Sequence, residues 1–267
     1  MLPARRHLAA LLMLAATAAL PTAALAEGHD WKKIRIGVEG AYPPFSEIGP
    51  DGKIKGFDID IANALCAQLK AECQLVQQEW DGMIPSLNAR KFDAIIASMS
   101  ITDERKKQVL FTDKYYSTPA RVVAKADAKL VISAEGLKGR KIGVQRSTIH
   151  DRFVTETFKS SEIVRYAKQD EVFLDLAAGR VDVVVCDSVA AEVGFLKRPA
   201  GKGFAFIGPA YNDPKYFGTG SGIALRKADT DLQAKLNAAI TAIRANGTYK
   251  KIQDQYFSFD VYGDEKK

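Results

Sequence analysis

The sequence predicts an α/β fold of two similar lobes facing each other across a cleft. Three observations lead there. First, one pattern is written twice: Ile36-Gly37-Val38-Glu39 is matched by Ile142-Gly143-Val144-Gln145. Second, each copy is followed by a Leu-x-Ala-x-(Lys/Arg)-x-Asp run, Leu87 to Asp93 and Leu176 to Asp182, leading into an apolar stretch. Third, five residues past each Asp stands a small polar or acidic side chain, Ser98 or Asp187. Strand signals fall over 34–38, 94–97, 121–125, 141–144, 181–186 and 222–226, with helix patterns between them. That alternation argues for largely parallel sheets, which bind ligands beyond the carboxyl ends of their strands. Glu39, Ser98, Ser100, Gln145 and Asp187 all stand at such ends.

The elements follow in chain order. Residues 1–26 read as a cleavable secretory signal: Arg5 and Arg6, then an apolar run from Leu8 to Leu20, then Ala24-Leu25-Ala26. That run is shorter than the roughly 20 residues a membrane span needs. After the first strand, Asp58 is placed to cap a helix whose face is Ile61, Ala62, Leu65 and Leu69. Cys66 and Cys73 would lie about 10 Å apart on a continuous helix, too far for a disulfide. Were they bonded, as a secreted chain would favour, the helix must end near Lys70-Ala71-Glu72. Residues 98–105, Ser-Met-Ser-Ile-Thr-Asp-Glu-Arg, run from a strand end into a helix start, where hydroxyls and N–H groups can receive an anion. Arg105 can add a bidentate pair to a carboxylate, or simply pair with Asp103 or Glu104. Ser117-Thr118-Pro119-Ala120 is the expected crossing into the second lobe, with a return near Asn212-Asp213-Pro214. These crossings make lobe 1 residues 27–117 and 215–267, and lobe 2 residues 118–214. Two crossings form a hinge of few residues. Asp187 follows an apolar run, where it either meets a cation or caps the next helix. Cys186 beside it reads as a buried, inert thiol. Gly218-Thr219-Gly220-Ser221-Gly222 lacks the Lys of a phosphate loop and reads as a flexible connector. Asp229 or Thr230 opens a last helix striped with Leu232, Leu236, Ile240 and Ile243, and Gly247 stops it.

Composition excludes several functions. The net charge of +6 falls by two once Arg5 and Arg6 are removed, and charges of both signs are interspersed, so nucleic acid is not an expected partner. His7, His29 and His150 are the only histidines, too few and too scattered for a metal cluster. Ser147, His150 and Asp151 sit within one turn, which does not give a nucleophile–base–orienter geometry. Tyr42 and Trp80 are single aromatics that either pack or present π faces to a cationic group. No cofactor is implied.

At these residues the chain resembles a known family. Gly56-Phe57-Asp58-Ile59-Asp60-Ile61 with Cys66, residues 98–105, and Tyr216-Phe217-Gly218 are similar to the periplasmic solute-binding proteins for polar and basic amino acids, which serve ABC importers. The nearest branch binds lysine, arginine, ornithine and histidine; residues 143–153 are closer to its arginine/ornithine-binding members. The resemblance runs from about Trp31 to Gly263. It implies the type II periplasmic binding protein fold, a monomer in the periplasm, a cationic L-amino acid as ligand and an inner-membrane permease as partner. Carried over position by position, Arg105 clamps the α-carboxylate with backbone N–H groups at Ser100 and Thr148. Asp187 holds the α-ammonium with Ser98 and Ser100. Tyr42 and Trp80 sandwich the aliphatic chain, and Glu39 meets the distal cation. Ala97, Gln145 and Ser147 complete the ligand set, and a Cys66–Cys73 disulfide is a feature of the branch. The chain departs from the pattern at Glu39, where a shorter Asp is common, at Trp80 for Phe, at Ala97 for Ser or Thr, and at Ile149 for Gln. The 144–147 loop is also one residue shorter. Opine-binding relatives share the Glu and Trp, so an arginine-derived opine is the alternative ligand. A dehydratase branch also uses this scaffold, and Glu39 is the one residue placed to act as its general acid.

Overall fold

The structure is a computed structural model that describes residues 30–263. The expected signal, residues 1–26, lies outside the described residues. The chain opens with β1 (Lys33–Val38), a small meander of β2 (Ala41–Tyr42), β3 (Ser46–Ile48) and β4 (Ile54–Lys55), then α1 (Phe57–Leu69) and β5 (Glu72–Gln77). It continues through α2 (Met83–Asn88), β6 (Ala94–Ile95), α3 (Asp103–Lys106) and β7 (Leu110–Tyr116). Next come β8 (Ala120–Lys125), β9 (Lys141–Gln145), α4 (Ile149–Thr157), β10 (Glu162–Tyr166), α5 (Gln169–Ala177), β11 (Val183–Asp187), α6 (Ser188–Ala191) and β12 (Phe204–Tyr211). The chain closes with α7 (Pro214–Phe217), β13 (Ser221–Leu225), α8 (Thr230–Ala245) and α9 (Thr248–Tyr256).

Two five-stranded sheets share one plan, β5-β1-β6-β13-β7 and β10-β9-β11-β8-β12. The written repeat is this plan. Ile36 and Gly37 of β1 lie beside Ala94 and Ile95; Ile142 and Gly143 of β9 lie beside Val183 and Val184. Glycine is needed in both strands because a neighbouring side chain lies against the backbone. A Cβ on Gly37 would sit 2.7 Å from the Phe92 ring, and one on Gly143 would sit 2.9 Å from Val172. The repeated Asp residues also do the same work. Asp93 accepts the backbone N–H of Arg35 at 3.0 Å, and Asp182 accepts that of Lys141 at 2.8 Å, each one residue before the matched Ile.

The sheets are mixed rather than largely parallel. β1–β5, β1–β6, β9–β10 and β9–β11 pair parallel, whereas β13 and β8 run antiparallel to both their neighbours. The antiparallel strands are the ones entering or leaving the crossings, so the route between sheets reverses them. The chain passes from β7 to β8 through 117–119 and returns from β12 to β13 through 212–220. On the return, Tyr216 and Phe217 of α7 still pack with Phe153 in the core of the second sheet. Each sheet is covered on both faces. One face of the first carries α1, α8 and α9, and the other carries α2. The second packs α4 on one face and α5 on the other. Among the described residues no helix is long and apolar enough to cross a membrane.

Helix α1 ends at Leu69 with Lys70 in the left-handed region (φ 53), and Cys66 and Cys73 are disulfide-bonded with Cα atoms 6.1 Å apart. Its N-cap, however, is Gly56, not Asp58. Asp58 lies inside the first turn and is fully buried. α8 carries the expected Leu232, Leu236, Ile240 and Ile243 in the core, and Gly247 just beyond it takes φ 80.

Candidate ligand-binding site

The carboxyl ends of β1 and β6 meet those of β9 and β11 at one cavity. Glu39, Tyr42, Trp80, Ala97, Ser98, Ser100, Arg105, Gln145, Thr148 and Asp187 line it. Ser147 does not. It takes φ 61, and its carbonyl accepts the Trp80 indole N–H at 3.1 Å, so it joins the lobes at the rim instead.

Glu39 and Gln145, the last residues of the repeated pattern, confront each other. The Gln145 amide donates to Glu39 Oε1 at 2.6 Å and to the Ala167 carbonyl at 3.2 Å. Gln145 therefore positions Glu39. Burial pushes the Glu39 carboxyl up to about 7 against the pull of that hydrogen bond, and Asp170 and Asp81 nearby add to the rise.

Arg105 sits in α3, a single turn capped by Thr102, whose hydroxyl accepts the Arg105 N–H at 3.3 Å. Its neighbours leave it free of local ion pairs. Lys106 takes Asp103 at 3.2 Å and Arg152 takes Glu104 at 3.1 Å. The Arg105 guanidinium instead donates to the Ser100 carbonyl at 3.1 Å and lies 5.2 Å from the centre of the Trp80 ring. Burial lowers it to about 10, still charged at neutral pH.

Asp187 caps α6: Oδ1 accepts the N–H groups of Val189 at 2.8 Å and Ala190 at 3.0 Å. Its Oδ2 accepts the Thr118 hydroxyl. Burial raises its pKa against those bonds. Among the described residues, Glu39, Arg105 and Asp187 form no ion pair. Three charges thus stand against one small cavity with only dipoles and a π face for partners, an arrangement that favours a charged guest.

Sequence reading missed several lining residues: Tyr116, Ser117, Thr118, Asn212 and Ser221. All five belong to the crossings or to the ends of strands beside them, and the hinge assignment was the signal that could have found them. His150 also lines the cavity and is held neutral: burial, then the Arg105 charge, lowers it to about 3. The glycine-rich segment is no flexible connector. A Cβ on Gly218 (φ 73) would lie 2.1 Å from the Ile101 carbonyl oxygen, and Ile101 N–H donates to the Gly220 carbonyl at 2.8 Å. Glycine lets two backbones close the cavity floor.

Among the described residues, five hydrogen bonds or ion pairs span the two lobes around the cavity. Besides Gln145–Glu39 and Trp80–Ser147, Arg146 pairs with Asp81, Arg152 with Glu104 at 3.1 Å and Arg198 with Glu47 at 3.3 Å.

Residues 34–259 match the model of the bacterial extracellular solute-binding proteins, family 3. The chain belongs to this family. It is 58% identical over 234 residues to the L-arginine-binding protein of Pseudomonas aeruginosa, covering 87% of this chain and 90% of that one. It is 44% identical over 256 residues to the lysine/arginine/ornithine-binding periplasmic protein of Escherichia coli, covering 95% and 98%. Among solved structures, it superposes with a TM-score of 0.80 on an ancestral arginine-binding protein bound to arginine, at 35% identity, covering 86% and 100% of the two chains. A Salmonella typhimurium periplasmic binding protein of high arginine specificity gives 0.79, also at 35%, covering 85% and 99%. The fold of this family-3 chain is thus the two-lobed, type II periplasmic binding protein fold.

Proposed function

We propose that this family-3 protein binds one cationic L-amino acid, arginine or ornithine, in the cleft between its lobes and presents it to an inner-membrane ABC permease. It works as a monomer in the periplasm, its lobes divided at the two crossings. The observation that carries this reading is the set of three cavity charges that form no ion pair, Arg105 against Asp187 and Glu39. A cationic amino acid has the complementary set: a carboxylate for Arg105, an ammonium for Asp187, and a distal cation for Glu39. Tyr42 and Trp80 flank the methylene chain between them. Ser98, Ser100, Thr148 and Ala97 shape the amino-acid end, and Gln145 holds Glu39 in place. The names of the relatives agree with this chemistry. Asp187 also favours a free α-ammonium over an opine, whose α-nitrogen is substituted.

A thermal-shift screen of the mature protein against all L-amino acids and common arginine derivatives tests this. Ligand at 100 times its dissociation constant stabilises by about 2.7 kcal/mol. Arginine, ornithine, lysine or histidine should give the largest shifts. Shifts led by neutral or acidic amino acids would overturn the reading. Mass spectrometry of the incubated ligand should recover it unchanged; turnover would indicate the dehydratase chemistry instead.

A further inference from the structure

Behind the cavity wall Ser98 belongs to a closed ring of hydrogen bonds whose other members, Asp58 and Tyr115, the proposed binding role does not use. Asp58 is buried in the first turn of α1 and is not among the cavity-lining residues. Its Oδ2 accepts the Ser98 hydroxyl at 3.0 Å, and its Oδ1 accepts the Tyr115 hydroxyl at 2.9 Å. The Tyr115 oxygen in turn accepts the Ser98 backbone N–H at 3.2 Å. Ser98 thus has both its donors committed within the ring. It also sits at φ 55, a left-handed conformation that a serine adopts only where its surroundings hold it.

A serine hydroxyl has one proton and two lone pairs. With Asp58 ionised the proton points inward to it, so only lone pairs are left for the cavity; burial raises the Asp58 carboxyl to about 7, so this polarity is set above that pH. The other lobe repeats the arrangement: the Thr118 hydroxyl gives its single proton to Asp187. We propose that Asp58 is a positioning residue that fixes the hydrogen-bond polarity of the ammonium recess, making Ser98 an acceptor towards the ligand as Asp187 makes Thr118 one. The recess then takes a primary ammonium and rejects the matching 2-oxo acid, whose carbonyl would set lone pairs against lone pairs. This rests on the cationic amino-acid reading above, which places the ammonium beside Asp187.

Two experiments test it. Neutron diffraction of deuterated crystals of the unmutated, ligand-free protein locates the Ser98 deuteron. It should lie on the line to Asp58; a deuteron pointing into the cleft overturns the proposal. This result does not depend on the ligand: a protein that ignores arginine yet shows the deuteron on Asp58 would refute the ligand assignment and sustain the polarity. In the second, Asp58→Asn is compared with the wild type by calorimetry using arginine and its deamino analogue, 5-guanidinopentanoate. The amide can accept only one of the two hydroxyl protons and turns a donor towards the other. Arginine should weaken at least about tenfold, the scale of one mismatched buried hydrogen bond, while the deamino analogue changes by less than about twofold. Adding Ser98→Ala to Asp58→Asn should bring no further loss, because Asp58 acts through Ser98. Equal losses for both ligands, or losses that add between the two substitutions, would mean that Asp58 only supports the fold.

Discussion

Glu39→Gln should stabilise the ligand-free protein and weaken its binding at the same time, each in a defined pH range. The fold raises this carboxyl from its ordinary 4.5 to about 7 because burial removes water from it. A carboxyl raised on folding favours the folded state while protonated, and that stability is lost as the pH climbs through 7. Above pH 7 the loss is about 3 kcal/mol; at pH 5 it is under about 1 kcal/mol. The glutamine oxygen can still accept the Gln145 amide, so the substitution removes the charge and keeps that bond. At roughly 2–4 °C per kcal/mol for a chain of this size, the variant should melt about 6–12 °C higher at pH 8 and nearly level with the wild type at pH 5. Binding should change the other way. A distal cation pairs only with the ionised form, so arginine affinity in the wild type should fall roughly tenfold from pH 8 to pH 6. Citrulline, a neutral isostere, lacks that response, and the ratio of the two cancels the contributions of Asp187 and Asp58 at the ammonium end. In the variant the ratio should collapse by about 2–5 kcal/mol. Differential scanning calorimetry at two pH values and titration calorimetry with both ligands provide the readings. An unchanged arginine-to-citrulline ratio, or a melting gain equal at pH 5 and pH 8, would refute the reasoning.

Three further outcomes follow from the same geometry. Arg105→Ala should cost arginine about 2–5 kcal/mol of binding while argininamide, lacking the carboxylate, loses far less. Arg105→Lys should not restore it, because the ammonium cannot form the planar fork; calorimetry showing full rescue would count against the clamp. Asp187→Asn keeps a good cap for α6 and removes a carboxylate that burial disfavours, so the ligand-free melting temperature should hold or rise while arginine affinity falls by about 2–5 kcal/mol. A destabilised protein with unchanged affinity would reduce Asp187 to a cap. Replacing Arg146, Arg152 and Arg198 together by Ala should weaken binding by less than about tenfold, because exposed pairs contribute little, and the difference should vanish in 1 M salt. Small-angle scattering should show the ligand-free variant more extended.

What the sequence made legible was whatever repeats or packs locally. Gly37 and Gly143 could be matched because in each lobe a side chain lies against the backbone at that place, Phe92 in one and Val172 in the other, so the two lobes reuse the same small residue. The end of α1 could be placed because two cysteines cannot meet along a continuous helix. β5 and β10 escaped notice because they are edge strands, half-exposed and polar at alternate positions. β7 escaped because Thr112-Asp113-Lys114 interrupts its apolar run. Asp58 was misread for a deeper reason. A capping pattern depends on neighbours three residues away, whereas the partners of Asp58 are Ser98 and Tyr115, 40 and 57 residues on. Ser147 entered the ligand set through the family resemblance; in the structure its carbonyl accepts the Trp80 indole N–H at the rim.

The perturbed groups also say what drives the lobes together. Glu39 and Asp187 are pushed up and Arg105 is pushed down, each chiefly by burial. Closing the cleft over these three charges therefore opposes itself unless something supplies their counter-charges. Glu39 alone costs about 3 kcal/mol above pH 7, and Arg105 and Asp187 add to it in the same direction. The ion pairs outside the cavity, Arg146–Asp81, Arg152–Glu104 and Arg198–Glu47, involve exposed side chains. Each is worth 0 to about 1 kcal/mol, so together they can at best match the opposition from Glu39 and cannot offset all three. The rim holds the lobes in register; the free energy of closure comes from the apolar packing of Val189 and Ala190 against the core of the first sheet together with pairing inside the cavity. A ligand missing one of its three charges leaves one of these groups desolvated in the closed state. Selectivity and closure are then coupled: closure is most favourable around a ligand that answers every buried charge.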